Sequence, residues 1–365
     1  TDGGENTAIG KNALVNNTTA HNNTGVGYHS LHENTTGTSN TAVGSMALDA
    51  ATTADQNTAV GRDALGATTT GDLNTVIGAF AMNSSTTADR NVVIGSQAMG
   101  SYSGTGDNYN TVVGFRACLN TTTASTFTAI GADALKSTTT GGSNVAVGYS
   151  AGVSLTTGSN NVIMGTSVMY SNVTGSSNVV IGHRAYRLGT TGSSNVGVGL
   201  EVLEDNTANN NTAVGALALK QNTSGYSNTA VGKGSLTVNT TGFDNVSVGI
   251  DAMFDNTTGG RNTAVGGAAL ANNTTADDNT AVGYHALLNN TTGVQNTAVG
   301  KDALKAVTTA NNNTAVGFQS LTATTTGGFN TAIGLVSLTA NTTGSQNTAL
   351  GYRALASNQT ADSNT

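Results

Sequence analysis

The sequence has no proline, no tryptophan and one cysteine, and only 9% of its residues are charged. Without proline, every residue keeps its backbone N–H as a hydrogen-bond donor. A single cysteine excludes an intrachain disulfide framework, and we expect Cys118 to be a buried apolar thiol. No apolar stretch approaches the roughly 18 residues that a membrane-spanning helix needs. No basic run occurs either, so neither membrane insertion nor nucleic-acid binding is expected.

The sequence contains instead one short unit, repeated along its whole length. The pentapeptide Asn-Thr-Ala-Val-Gly, with small variations, recurs 21 times, and its glycine returns every 17 residues except at two places. Such a short fixed period is typical of stacked-repeat architectures, in which each repeat packs mainly on its neighbours.

We number each repeat from its Asn, which is repeat position 1. Glycine at position 5, the β-branched residues and the Thr-Thr pairs at positions 13 and 14 all disfavour a helix. Short runs of β-forming residues separated by Gly and Asn indicate short strands joined by tight corners. The sequence therefore predicts an all-β fold: a parallel β-solenoid (β-roll) of 21 coils, with one 17-residue repeat per coil.

The apolar positions of the repeat suggest which side chains form the core. Positions 4 and 9 are predicted to point inward and to form two continuous apolar rows. These predicted core residues are Ile9, Val26, Val43 and Val60 at position 4, and Leu14, Leu31, Leu48 and Leu65 at position 9. Because side chains two residues apart on a strand share a face, Thr or Val at position 2 is expected in the core beside position 4.

Position 3 is then expected on the outside, where it forms a row of small apolar side chains. The members used for this prediction are Ala42, Ala59, Val76, Val93, Val112, Ile163 and Val180. We interpret this row as a lateral interface with another chain. The alternative is a flat face that is simply poor in polar groups, since much of any protein surface is apolar.

Glycine occupies position 5 in every repeat, which predicts a corner that needs a positive φ or a close backbone approach. The first six of these corner glycines are Gly10, Gly27, Gly44, Gly61, Gly78 and Gly95. Asn at positions 1 and 12 is expected to stack as amide ladders along the coils.

Two changes of spacing divide the array. Two residues are inserted near 104–107 and one is deleted near 205–208. We expect one continuous solenoid over 1–365, with regular coils at 1–90 and 212–365 and variant coils at 91–211. The chain opens on Thr1-Asp2-Gly3, which aligns with the end of a repeat, and closes on the start of another. We therefore expect it to be a window of a longer array.

Candidate chemistry is sparse. Asp55, Asp72 and Asp89 share position 16 in three successive coils, so they are candidate calcium ligands. The alternative, which we favour, is solvated turn aspartates and no cofactor. Exposed aromatic residues at position 6 are candidates for stacking on sugars, against the alternative of a corner that accepts any residue. No nucleophile–base arrangement or phosphate loop stands out from the repeat, so we do not expect an enzyme.

The Asn-Thr-Ala-Val-Gly-x-x-Ala unit resembles the head repeats of trimeric autotransporter adhesins and repeat arrays of phage tail fibres, from Asn6 to Thr365. That resemblance implies a left-handed β-roll, a homotrimer, and a location outside the cell, on a cell surface or a virion. The 17-residue repeat is longer than that of the adhesin heads, and no stalk, anchor or chaperone domain accompanies it.

Together these features predict a non-enzymatic extracellular fibre that assembles laterally with itself and acts in attachment. Host-surface glycans or another cell-surface ligand are the candidate external partners. A receptor-binding tail fibre or surface adhesin head is the alternative, and an ice-binding protein is a third reading, because regular rows of Thr can match an ice lattice.

Overall fold

The computed structural model describes residues 3–365, and among these every regular element is a short strand. Strands form where Thr, Val and Ile fall together between an Asn and a Gly, because β-branched residues favour the extended backbone and those two residues favour corners. The strands are β1 (Thr7–Ile9), β2 (Thr24–Val26), β3 (Thr41–Val43), β4 (Thr58–Val60), β5 (Thr75–Ile77), β6 (Ala88–Asp89), β7 (Val92–Ile94), β8 (Gly106–Asp107), β9 (Thr111–Val113), β10 (Thr128–Ile130), β11 (Val145–Val147), β12 (Val162–Met164), β13 (Val179–Ile181), β14 (Val196–Val198), β15 (Thr212–Val214), β16 (Thr229–Val231), β17 (Val246–Val248), β18 (Thr263–Val265), β19 (Thr280–Val282), β20 (Thr297–Val299), β21 (Thr314–Val316), β22 (Thr331–Ile333) and β23 (Thr348–Leu350).

Equivalent strands of successive repeats pair in parallel and in exact repeat register. Thr41 pairs with Thr58, and Val43 pairs with Val60, so residues with the same repeat position lie on top of one another. The two-residue strand β8 lies at the two-residue insertion and pairs with β6 of the preceding coil, separately from the main stack. The predicted all-β parallel solenoid with a 17-residue coil is confirmed, while the left-handed sense stays a prediction.

The chain forms two compact units, Thr1–Ile181 and Gly182–Thr365. The first contains β1–β13 and the second contains β14–β23. The boundary lies inside the segment 91–211 that the changes of spacing mark as variant. The expectation that Thr1-Asp2-Gly3 continues an earlier repeat depends mainly on Thr1 and Asp2, which lie outside the described residues.

The predicted orientation of the strand side chains is wrong: the side chains expected to point outward are buried, and those expected to point inward face outward. Position 3, predicted to point outward, is fully buried at Ala42, Ala59, Val76, Val93, Val112, Ile163 and Val180. Position 4, predicted to point inward, is exposed at Ile9 and Val43 and half-buried at Val26 and Val60. Position 2 faces outward with it, since the first and third residues of a three-residue strand share a face.

The physical reason is the width of the coil. Position 1 carries Asn whose side chain is buried and hydrogen-bonded, so alternation places positions 1 and 3 inside and positions 2 and 4 outside. The centre of the strand then faces Leu at position 9 across a thin core, which leaves room for a small residue in most coils. The predicted core residues Leu14, Leu31, Leu48 and Leu65 are indeed buried, together with Ala at position 8.

Two rows of buried Asn run through the core as hydrogen-bonded ladders. At position 1, Asn57 donates its backbone N–H to Oδ1 of Asn40 (2.9 Å) and its side-chain amide to the Gly71 carbonyl (2.8 Å). At position 12, Asn256 donates its amide to Oδ1 of Asn239 (2.8 Å) and to the Gly259 carbonyl (3.0 Å). These ladders satisfy polar groups of the corners that burial would otherwise leave without partners.

The corner glycines show both predicted features, a positive φ and a close approach of neighbouring backbones. Gly44 has φ +141°, and a Cβ built on it would lie 2.4 Å from the carbonyl oxygen of Gly61 in the next coil. The same geometry holds at Gly10, Gly27, Gly61, Gly78 and Gly95. A side chain at position 5 would therefore force adjacent coils apart.

Three coils show how the core tolerates departures from the consensus. Position 9 is Gly152 in one coil, and Leu155 at position 12 is buried in compensation. In another, Tyr186 replaces Leu at position 9 and its ring occupies the space above Gly189 at position 12. The coil with the two-residue insertion buries Tyr102 at position 12, where burial raises the pKa of Tyr102 to about 12.

Candidate interaction surface

The most extensive regular surface is the outward side of the three-residue strands, which we call the outer sheet face. It consists of the side chains at positions 2 and 4 of all strands except β6 and β8. Position 2 is Thr or Val in every one of these strands, and position 4 is Val, Ile, Met or Leu. No charged side chain therefore interrupts the face in either unit.

The position 4 side chains are large and apolar, and each is either exposed or half-buried. The clearest members are Val43, Ile77, Ile94, Ile130, Met164, Val214, Val265 and Ile333. Where position 2 is Val it is exposed in most coils, as at Val92 and Val246, and half-buried at Val162 and Val196. The face therefore carries an apolar row and a row of Thr or Val side by side, with one member of each row per coil.

The outer sheet face of each unit is comparable in size to the largest apolar patch of a typical monomer. A three-residue strand is roughly 10 Å long and adjacent strands lie about 4.8 Å apart, so ten coils present on the order of 500 Å². Each unit has at least that many coils. The largest apolar patch on a typical monomer is about 300–600 Å² and is often functional.

A second apolar row borders the outer sheet face at position 6, just after the corner glycine. Its exposed members are Tyr28, Phe115, Tyr149, Leu200, Ile250, Tyr284, Phe318, Leu335 and Tyr352. Lys and Arg at the same position lie against neighbouring rings, as Lys301 does with Tyr284 and Phe318. These contacts widen the apolar band on one side.

Most ion pairs among the described residues lie at positions 7 and 10, and the others lie at position 11 or near positions 16 and 17, so none involves the outer sheet face. The densest group is in the second unit, where Glu201 accepts from Lys220 (2.7 Å) and contacts Arg184 (3.2 Å). The hydrogen bond from Lys220 lowers the pKa of Glu201, and the same bond raises the pKa of Lys220. The paired charges therefore lie outside the outer sheet face.

The position 16 aspartates act as backbone acceptors. Oδ1 of Asp55 accepts the Thr38 N–H, Oδ1 of Asp72 accepts the Asp55 N–H (2.7 Å), and Oδ1 of Asp89 accepts the Asp72 N–H (2.7 Å). Among residues 3–365 no group of three or more His, Cys, Asp or Glu is placed to hold a metal ion. The row therefore has a structural explanation that needs no calcium.

Cys118 is completely buried at position 9, where the sequence predicts an apolar thiol. Burial raises the pKa of the thiol, which keeps it protonated and unreactive at neutral pH.

One coil of the second unit is interrupted by a surface notch. It lies beside the one-residue deletion, has a volume of about 390 Å³, and is lined by Thr207, Ala208, Asn209, Asn210, Ser224 and Tyr226. Sequence spacing locates the deletion at 205–208, but it does not reveal that Tyr226 of the next coil borders the gap.

Comparison with protein-family models and with curated proteins finds no match for this chain. Within residues 3–365, no helix has the length and apolarity to cross a membrane.

Proposed function

We propose that this chain is a non-enzymatic structural segment of an extracellular fibre, and that it assembles laterally with copies of itself through the outer sheet face. One observation carries the proposal: both units present a long, regular, uncharged sheet face with exposed apolar side chains at position 4. The lateral interface predicted from the sequence is thereby moved from position 3 to positions 2 and 4.

Three features support self-association over a soluble partner of different chemistry. The face repeats with the same period on every copy, so two or three copies match each other along the whole stack. It lacks the charged residues that would repel a like surface or require a complementary one. The faces of the two units sum to on the order of 1,000 Å², which exceeds the roughly 800 Å² per partner of a stable interface.

The extracellular location, the trimeric state and the role in attachment belong to the same proposal, and they rest on the resemblance of the repeat to adhesin heads and phage tail fibres. In that role the solenoid supplies stiffness through continuous backbone ladders, and its partners are copies of itself and, externally, host-surface glycans.

The proposal is tested by placing charge on the outer sheet face. In the doubly substituted chain Val246→Lys, Val265→Lys, two lysines lie on adjacent coils of that face. Sedimentation equilibrium of the unmodified chain should give a multiple of 36.2 kDa, and the variant should shift to the monomer. The matched control is Thr241→Lys, Thr258→Lys, at exposed position 14 of adjacent coils.

Monomeric behaviour of the unmodified chain at every concentration would refute lateral assembly. Equal dissociation of the two lysine variants would place the interface on another surface.

A second candidate function is ice binding, favoured by the Thr residues at position 2. The outer sheet face has unbroken runs of Thr beside Val, Ile or Leu over β1–β5 and β18–β23. Such flat, regular rows of hydroxyl and methyl groups can order water in a lattice-like pattern. Measurement of thermal hysteresis on the unmodified chain decides this candidate: a freezing-point gap with faceted crystals supports it, and the absence of a gap rejects it.

A further inference from the structure

The short coil of the second unit, residues 195–210, lacks one identifiable repeat position. In a full-length coil, the position 12 amide reaches the carbonyl three residues on, as Asn256 reaches Gly259 (3.0 Å). In the short coil, Asn206 reaches Ala208, only two residues on, at 2.8 Å. The missing residue is therefore one of the two threonine positions, 13 and 14, and Thr207 keeps the position 13 hydrogen bond to the Thr223 carbonyl (2.7 Å). Position 14 is absent.

The missing residue creates the notch. Ser224 holds position 14 in the next coil and has no equivalent neighbour in the short coil, so it borders the gap. None of the six lining residues is charged, and the volume of about 390 Å³ lies within the range of small-molecule sites.

Tyr226 forms an aromatic wall of this notch and is held in place from its far side. Its ring stacks on Phe243 of the following coil, with centroids 5.3 Å apart and planes at 15°. The Arg261 guanidinium lies 5.5 Å from the Phe243 centroid, and Asp278 fixes that guanidinium through a 2.7 Å hydrogen bond. Because Phe243 covers one face of the Tyr226 ring, the other face borders the notch, and 47% of the residue is exposed.

Polar groups surround this ring. Oδ1 of Asn209 accepts the Ser193 N–H (2.8 Å), which orients the amide and leaves its nitrogen as a donor. The side chains of Asn210 and Ser224 are exposed at the notch and offer further donors and acceptors. Thr207 Oγ1 donates to a backbone carbonyl and can still accept.

We propose that this notch binds a neutral pyranose sugar. The C–H face of a pyranose packs on an aromatic ring, and its equatorial hydroxyls pair with amides and hydroxyls, which are the two kinds of group found here. A charged ligand would find no counter-ion in the lining. The site lies at positions 13–17, outside the outer sheet face, so sugar binding and lateral assembly use separate surfaces.

Saturation-transfer NMR on the full chain tests the site, with the methyl glycosides of glucose, galactose and N-acetylglucosamine as probes. We expect transfer to at least one glycoside. In Tyr226→Ala its affinity should fall at least about tenfold, because the stacking surface is lost. The control Tyr170→Ala removes an exposed aromatic residue at position 10, outside the notch and outside the position 6 row, and should retain binding.

A second variant tests the notch without touching its aromatic wall. Inserting a threonine between Thr207 and Ala208 restores a 17-residue coil, refills position 14 and should abolish binding. Absence of transfer to every glycoside from the unmodified chain would overturn the proposal, as would binding that persists in both notch variants. Equal transfer to a tyrosine-containing dipeptide would also overturn it, by assigning the notch to peptides. Sedimentation of these variants reports separately on lateral assembly, which they should leave unchanged.

Discussion

At the scale of single residues, each repeat position has one physical task. Glycine at position 5 permits adjacent backbones to approach, and Asn at positions 1 and 12 supplies buried hydrogen bonds between coils. The position 16 aspartates show the cost of such stacking, because identical charges recur in adjacent coils. Burial is the largest cause that raises the pKa of Asp72, the N–H of Asp55 opposes it, and the carboxylates of Asp55 and Asp89 add to the rise.

This arrangement predicts that Asp72→Asn stabilises the fold at neutral pH. Oδ1 of Asn can still accept the Asp55 N–H, as Oδ1 of Asn311 accepts the Val294 N–H (2.7 Å) elsewhere in the chain. Because the folded-state pKa of Asp72 is raised, folding favours the protonated carboxyl, and its ionised form at pH 7 lowers stability. Thermal unfolding at pH 7 should therefore show a higher midpoint for Asp72→Asn.

The pH dependence of the stability gain distinguishes removal of the carboxylate charge from other causes. The gain should shrink as the pH falls through the raised pKa towards the unfolded value of about 3.9. Asp255→Asn, an exposed position 11 aspartate outside the row, serves as the control. A gain for Asp72→Asn that is independent of pH would show that charge is not its origin.

At the scale of the coil, core volume is shared between positions 9 and 12. Gly152 and Leu155 reverse the usual order of a large residue followed by a small one. A Cβ on Gly152 would lie 2.9 Å from Cδ1 of Ile163 and 3.0 Å from Cδ2 of Leu135, so these neighbours have closed over the space.

A double-mutant cycle should reveal that positions 9 and 12 share core volume. Gly152→Leu alone overpacks the coil, at a cost of about 1–3 kcal/mol. Leu155→Thr alone leaves a cavity, at a cost of about 2–4 kcal/mol. The double variant restores the usual order, so its loss of unfolding free energy in denaturant should be smaller than the sum by at least about 1 kcal/mol. Simple additivity would mean that the two positions do not share volume.

The strands show which parts of the fold could be predicted from the sequence and which could not. Strand and corner follow from local chemistry, because β-branched residues and glycine act within a few residues. The direction of each strand does not follow from apolarity alone: Ile9 and Val43 are more apolar than Ala42, yet Ala42 is the buried residue. The deciding signal was the Asn at position 1, whose constancy in most repeats indicates a buried amide ladder and therefore an inward position 3.

The candidate sites were predictable to different degrees. The position 6 aromatic row is visible in the repeat alignment, and those residues are exposed. The notch beside Tyr226 could not be predicted, because it requires knowing which residue is missing from the short coil and which ring lies over the gap. The missing repeat position and the ring beside the gap are both identified by contacts between coils.

At the scale of the whole molecule, the two units share one arrangement of surfaces. In each, the outer sheet face is uncharged, and the ion pairs lie at other positions, chiefly 7 and 10. The net charge of −7 is therefore carried by other sides of the coils, where it favours solubility without opposing contact between outer sheet faces. This separation is the basis for expecting lateral assembly.

Oxidation of two native methionines tests that expectation most directly. Met164 lies at position 4 on the outer sheet face and is 39% exposed, while Met46 lies at position 7 and is 38% exposed. Peroxide converts exposed methionine to its sulfoxide, so in a single chain the two should react at similar rates. Peptide mass spectrometry at high protein concentration should show Met164 oxidised several-fold more slowly than Met46. Equal rates for the two residues, at concentrations where the chain is assembled, would contradict burial of the outer sheet face between copies.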